Sequence, residues 1–271
     1  MSRVFCLYKS KSRTRQLSGG AATNGFVKQL ICTDDNECLI FFESFIKFAA
    51  MTTGTPISFD LLDQDLLLLP QKALYWQQQK ALIIADVHFG KVGHFRKAGI
   101  AVPLDMEQSD LAMLSDLVRE HKPEKLIFLG DFFHSDMNAD WDWFIMWRSQ
   151  FPNLEIILIR GNHDIIDDSH YEQLNIRLYD QLLLGPFLML HHPLTGIALD
   201  MAPGYVFCGH IHPGVSLIGK GRQHITLPCF AFGARQAILP SFGKFTGKVA
   251  ILSSKTDHIF AIVKDKVLAI D

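Results

Sequence analysis

Long apolar runs are missing from this 271-residue chain, and so is any ordered use of cysteine. No stretch reaches the roughly 18–20 apolar residues that a membrane-spanning helix needs; the nearest candidate, 38–50, is broken by Glu43 and Lys47. The five cysteines (6, 32, 38, 208 and 229) form no CxxC pair and no even framework, which argues against a disulfide scaffold. Cys208 and Cys229 lie in apolar runs and read as buried free thiols, as expected of a reducing, cytoplasmic setting. Charge of one sign is not in excess either, with 26 Lys+Arg against 28 Asp+Glu. The imbalance is local. Residues 1–33 hold six basic side chains and no acid, whereas 51–271 hold 19 basic and 24 acidic ones, a net of −5. By charge count, that body is not a basic nucleic-acid binder.

The first segment, 1–56, is read as a basic, Ser-rich extension outside the folded domain. Three origins stay open: an upstream extension with no folded role and translation from Met51, a disordered arm that touches nucleic acid, or a transit peptide. The domain proper is expected over 57–271, with no repeats and no low-complexity linker. Strand and helix alternate through its first half. A hairpin is predicted over 66–79 and strands over 81–86, 125–130 and 155–160. A helix is predicted over 105–121, with Leu111, Leu114, Leu117 and Val118 on one face. A short aromatic helix over 139–150 holds Trp141, Trp143 and Trp147, which suit core packing better than base stacking. After 180 short strands dominate: 182–184, 187–191, 205–208, 224–229, 248–253 and 258–269. Early βαβ units and a β-rich end predict an α/β fold with two sheets facing each other between helices.

Five polar blocks stand out against this pattern. They are Asp86-Val87-His88, Gly130-Asp131, Gly161-Asn162-His163-Asp164, His191-His192-Pro193 and Gly209-His210-Ile211-His212, each following an apolar run: ALIIA, KLIFL, EIILIR, FLML and YVFC. Runs of four to eight branched residues read as buried strands. A carboxylate or imidazole at the end of a buried strand is costly unless something pairs with it. Asp, Asn and His together are oxygen and imidazole donors suited to Mn, Fe, Zn or similar divalent ions. Asp86, His88, Asp131, Asn162, His191, His210 and His212 make seven donors, too many for one tetrahedral ion and right for two with room for water. Two such ions clamp the attacking and leaving oxygens of a phosphoryl displacement and activate a bridging hydroxide. In an acidic body, the ions are also what draws an anionic substrate.

The ordered set DxH, GD, GNHD, H, GHxH resembles the calcineurin-like metallophosphoesterases over roughly residues 60–253. The resemblance implies a four-layer sandwich of two mixed β-sheets flanked by helices, and a metal-dependent phosphoric ester hydrolase. It implies one ion on Asp86, His88, Asp131 and His212, and a second on Asp131, Asn162, His191 and His210. His163 would touch the phosphate and help the leaving oxygen depart. His191 is preferred over His192 as the ligand because of its distance from the following proline. The strings LLLLPQKALYW (66–76), ADVHFGKVGHFRKAGIAVP (85–103), GDFFHSD (130–136) and LPCFAFGARQAILPSFGKFTG (227–247) are similar to the DNA-ligase-associated branch. That branch implies a manganese-dependent diesterase or nuclease in DNA processing or repair, with DNA ligase and helicase as associates. His134 stands where protein phosphatases of the superfamily carry aspartate, and the double-strand-break repair nucleases carry histidine there too. It suits a diester, or else it only hydrogen-bonds a neighbouring carboxylate. Lys91 and Arg96 are candidates for phosphate contacts, and Arg160 and Asp164 for supporting roles beside the metals. Two rival readings remain: a small-molecule or cyclic-nucleotide phosphodiesterase, favoured by the acidic body, and a non-catalytic partner in a ligase–helicase assembly.

Overall fold

The computed structural model describes residues 55–91, 99, 105–134, 137–218, 224–244, 246–252 and 254–270; Arg96 and the basic segment up to 54 lie outside these. The first sheet opens with β1 (Ile57–Leu61), β2 (Gln64–Leu69), β3 (Ala73–Trp76) and β4 (Ala81–Ile84), an antiparallel meander. Three crossovers then add parallel strands: α1 (Asp105–His121) leads to β5 (Lys125–Leu129), α2 (Ala139–Ser149) to β6 (Glu155–Ile159), and α3 (Asp168–Gln173) to β7 (Ile176–Tyr179). Ile83, Ile127 and Ile157 stand side by side across this parallel half.

The second sheet collects β8 (Leu182–Leu184), β9 (Phe187–Met189), β10 (Tyr205–Cys208), β11 (Pro213–Ile218), β12 (His224–Phe232), β13 (Gln236–Ile238), β14 (Val249–Ala250), β15 (His258–Val263) and β16 (Lys266–Ile270). Its order is β14-β11-β12-β13-β10-β9-β8, with β15 and β16 branching from β12. β10 runs parallel to both β9 and β13, so this sheet is mixed too.

The apolar runs read as buried strands are buried on both faces, and their two-residue period sorts them. Leu82, Ile84, Leu126, Phe128, Ile156 and Leu158 pack with Leu114 of α1 and with Trp141, Phe144 and Trp147 of α2. Ala81, Ile83, Ile127, Leu129, Ile157 and Ile159 meet Phe187, Met189, Phe207, Phe230, Phe232 and Phe260 of the second sheet. Trp76, fully buried, meets the Phe187 ring edge-on at 4.8 Å and donates its indole N–H to Gln64 Oε1 at 3.0 Å. Each such side chain contributes about 1.5–3 kcal/mol by leaving water. Trp147 donates to the Ser115 hydroxyl at 2.9 Å, which ties α2 to α1. The tryptophan reading thus resolves toward the core for Trp141 and Trp147, while Trp143 is partly exposed.

The architecture is the expected α/β sandwich of two mixed sheets with helices outside, but the outer layer on the second sheet is thin. It is α4 (Gly196–Asp200) packed with Leu188, Val206 and Cys208 over one half, with Ile251 against Cys229 and Ile259 over the other. The strand expected over 258–269 is a hairpin, β15–β16, that turns at Lys264, whose φ is +54°. Not anticipated were β1, α3, β7, α4, β11 and β13. β11 opens on Pro-Gly, a poor start for a strand pattern, and α4 is five residues long with no side-chain cap.

Candidate metal centre

β4, β5 and β6 of one sheet and β9 and β10 of the other end at a common rim, and the five polar blocks are the loops that leave them. Backbone bonds hold these loops in step. Asp86 N donates to Gly130 O, His88 N to Asp131 O and Phe89 N to Phe132 O, which extends the β4–β5 pairing past the strand ends. From the other side Ser241 Oγ donates to Asp86 O at 2.8 Å, and Phe242 N to Ala85 O.

The loops turn sharply where the donors sit. Asp86, His88, Asp131, His210 and His212 all have positive φ, between +48° and +68°. Each such residue costs about 1–2 kcal/mol in the left-handed region, a strain that persists where the surroundings over-determine it and that clusters at functional sites. The turn at both Asp86 and His88 is what brings their side chains into one site from a two-residue spacing.

The donors converge. His88 Nε2 lies 3.4 Å from His212 Nε2 and 3.7 Å from Asp131 Oδ2, and His212 Nε2 lies 3.7 Å from Asp86 Oδ1. On the other side of Asp131, His191 Nε2 lies 3.4 Å from Asp131 Oδ1, 3.1 Å from Asn162 Oδ1 and 3.2 Å from His210 Nδ1. Asp131 stands between the two groups, with one carboxylate oxygen toward each. Asp86, His88, Asp131 and His191 are all buried. Burial, with the nearby Lys91 ammonium, pushes His88 down to about 2, so it is a neutral ligand-type imidazole. Ring nitrogens that face each other and buried carboxylates are the donor chemistry a divalent cation satisfies. This donor set fits the two ions read from the sequence.

Outer contacts aim the donors. His191 Nδ1 lies 2.9 Å from Leu129 O, which assigns it the proton and leaves Nε2 as the free donor. His192 next to it is exposed, its ring 4.2 Å from that of His210, so His191 occupies the inner position and His192 the rim. His210 N donates to both Asp86 oxygens, at 3.0 and 2.9 Å, and His163 N to Asp131 Oδ1 at 3.0 Å. The Asp164 carboxylate accepts from Phe132 N, Phe133 N and Gly161 N and so stitches the GNHD loop to the GD loop. Burial raises Asp164 to about 6 against the pull of those bonds. Asp164→Ala leaves three N–H groups without their acceptor. Each such loss costs about 1–3 kcal/mol, so chelator-treated protein is expected to lose at least ~2 kcal/mol in denaturant unfolding; an unchanged midpoint would contradict this stitching role.

Glycines fill the places where a side chain would collide with the donors. A Cβ at Gly161 would stand 2.1 Å from Asp131 N and 2.4 Å from Asp131 Oδ1. One at Gly130, whose φ is +77°, would stand 2.2 Å from His191 Nδ1. Gly161→Ala must therefore displace Asp131. A misplacement of about 1 Å costs on the order of 10²-fold in rate, so that loss is expected in diester hydrolysis with the melting transition retained. More than half the wild-type rate would contradict the packing described.

The remaining predicted residues fall around this centre. His163 is partly exposed at the rim, its Nε2 4.0 Å from Asp131 Oδ2. His134 stacks on it, with ring centroids 4.8 Å apart, and its Nδ1 lies 3.3 Å from His88 Nδ1. His134 therefore touches the outer nitrogen of an imidazole donor. Half-buried Lys91 is lowered by burial and drawn back up by Asp131, which places it near the donors. Arg160 forms its ion pairs with Asp168 and Asp180, not with the site's carboxylates. Ser241 and Phe242, within the string 227–247, hold the first loop from outside through Asp86 O and Ala85 O.

Comparison with known proteins bears on the family and the fold. The calcineurin-like phosphoesterase family matches residues 80–212. The crystal structure of Pseudomonas putida nuclease MPE matches with a TM-score of 0.67 and 32% sequence identity, covering 80% of this chain and 100% of that one. Curated proteins yield no match. Family, fold and relative together place this chain among the calcineurin-like phosphoesterases, as a metal-dependent phosphoester hydrolase.

Proposed function

We propose that this chain is a manganese-dependent phosphodiesterase that cleaves DNA, of the DNA-ligase-associated type, and works in DNA processing or repair alongside a ligase and a helicase. The observation that carries the reading is the 32% identity to a nuclease whose whole length is covered. The catalytic domain is read as 57–271 and the segment before it as an extension, although Thr55 already bonds Asp265 and Val267 of the domain. The buried free thiols Cys208 and Cys229 support a cytoplasmic setting. Asp86, His88, Asp131 and His212 would hold one ion, and Asp131, Asn162, His191 and His210 the other. When bound, two such ions supply Lewis acidity and a nucleophile ionised at neutral pH. His163 is pinned by its backbone to Asp131, so its ring stands ready to give a proton to the departing oxygen. His134, where an aspartate would add negative charge, stacks on that ring and leaves the anionic diester unopposed. Lys91 adds positive charge beside Asp131.

A small-molecule diester is the second reading, favoured by the net charge of −5 over 51–271. A DNA-cleavage gel run beside a cyclic-nucleotide assay, both with Mn²⁺, separates them. Nicked or shortened DNA with intact cyclic nucleotide supports the nuclease; the reverse supports the rival.

A further inference from the structure

A cavity of about 120 Å³ adjoins the metal centre and shares His212 with it. Its other walls include Lys72, Lys244, Lys248, Ser241 and Thr246. Lys72 comes from the β2–β3 turn and the other two lysines from the segment after Gly243, 172 residues further along, so only the fold brings them together. Lys72 Nζ makes long contacts of 3.4 and 3.5 Å to the carbonyls of Phe242 and Gly243. The N–H groups of those two residues bond Ala85 O and Asp86 O, so the lysine is tied through one short segment to the first metal-site loop. Lys244 Nζ donates to Ser109 Oγ at 2.6 Å. The nearby carboxylate, Asp110, is buried; it accepts from Lys244 N at 3.3 Å, and its other oxygen has no partner.

Lys72, Lys244 and Lys248 thus line one space, several times the ~10–15 Å³ that one water needs, and the buried Asp110 acts on Lys72 and Lys244. Burial lowers Lys72 to about 8, with Lys248 and Lys244 pushing the same way and Asp110 opposing. Crowded cations of this kind are relieved by an anion, and lysine binds phosphate as a point charge. A polynucleotide carries its next phosphate one step along the chain from the scissile one.

We infer that the Lys72–Lys244–Lys248 pocket binds the phosphate adjoining the scissile diester, so that the enzyme selects substrates with at least two phosphates in a chain. The inference rests on the nuclease reading and names its substrate class. The test compares kcat/KM for a dinucleoside monophosphate and a trinucleoside diphosphate in Mn²⁺. Wild type is expected to favour the trinucleotide at least about tenfold, the scale of one hydrogen-bonded charge contact. The double variant Lys244→Ala/Lys248→Ala removes two exposed lysines and, with Lys244, the bond to Ser109 Oγ. Its preference is expected to collapse to about twofold or less, and that of Lys72→Met to fall likewise. No preference in wild type, or the same preference in the folded double variant, overturns the inference while leaving the nuclease standing. Cleavage of an aryl diester but of neither nucleotide overturns the nuclease reading, and the inference with it.

Discussion

Asp131→Ala is expected to leave less than about a tenth of the wild-type diesterase rate, because it removes the one side chain both ions would share. The geometry makes this residue different from the other donors. One of its oxygens faces His88 at 3.7 Å and the other faces His191 at 3.4 Å. In the proposed assignment every other donor serves a single ion. Asp131 also anchors His163 through its backbone N–H, so its loss disturbs the proton donor as well. The measurement is diester turnover together with bound metal per chain after dialysis. A folded variant that keeps a tenth of the rate, or both ions, breaks the scheme.

His163→Ala is expected to slow turnover by roughly 10²–10⁴-fold, the usual range for a general acid, while metal binding survives. The reasoning is positional. What the metal centre takes from this residue is its backbone N–H, which alanine keeps. The ring lies at the rim, its Nε2 4.0 Å from Asp131 Oδ2 and its face against His134. Metal content equal to wild type with a depressed kcat is the expected pattern. Loss of metal would make His163 a ligand and rule it out as the proton donor.

What the sequence revealed of the fold follows from how continuous each pattern is. The helix predicted over 105–121 is α1 to the residue, because four apolar side chains recur at helical spacing. β4, β5 and β6 were visible as branched runs because both of their faces are buried. β7 was not, since Ile176–Tyr179 alternates buried and exposed over only four residues, and α3 is only six residues long. At the site, the donor residues were legible because each interrupts the end of an apolar strand. How they converge was not, since it depends on left-handed turns at Asp86, His88 and Asp131, which those residue types permit but do not announce. His191 sits inward beside Leu129 O, while the exposed His192 lies within reach of His191 and His210. Arg160 looked like a partner for the acidic cluster from its place before GNHD, yet Asp168, at the start of α3, takes its charge. The lysine pocket had no sequence signal, because its walls are brought together only by the packing of the two sheets.

The measurement that tests the central claim most directly is hydrolysis of an aryl phosphodiester beside the matching monoester, with metal-stripped protein and with Mn²⁺ restored. The account predicts diester cleavage that is absent without metal and returns with it. Cleavage of the monoester alone, or a diester rate indifferent to metal, would contradict it.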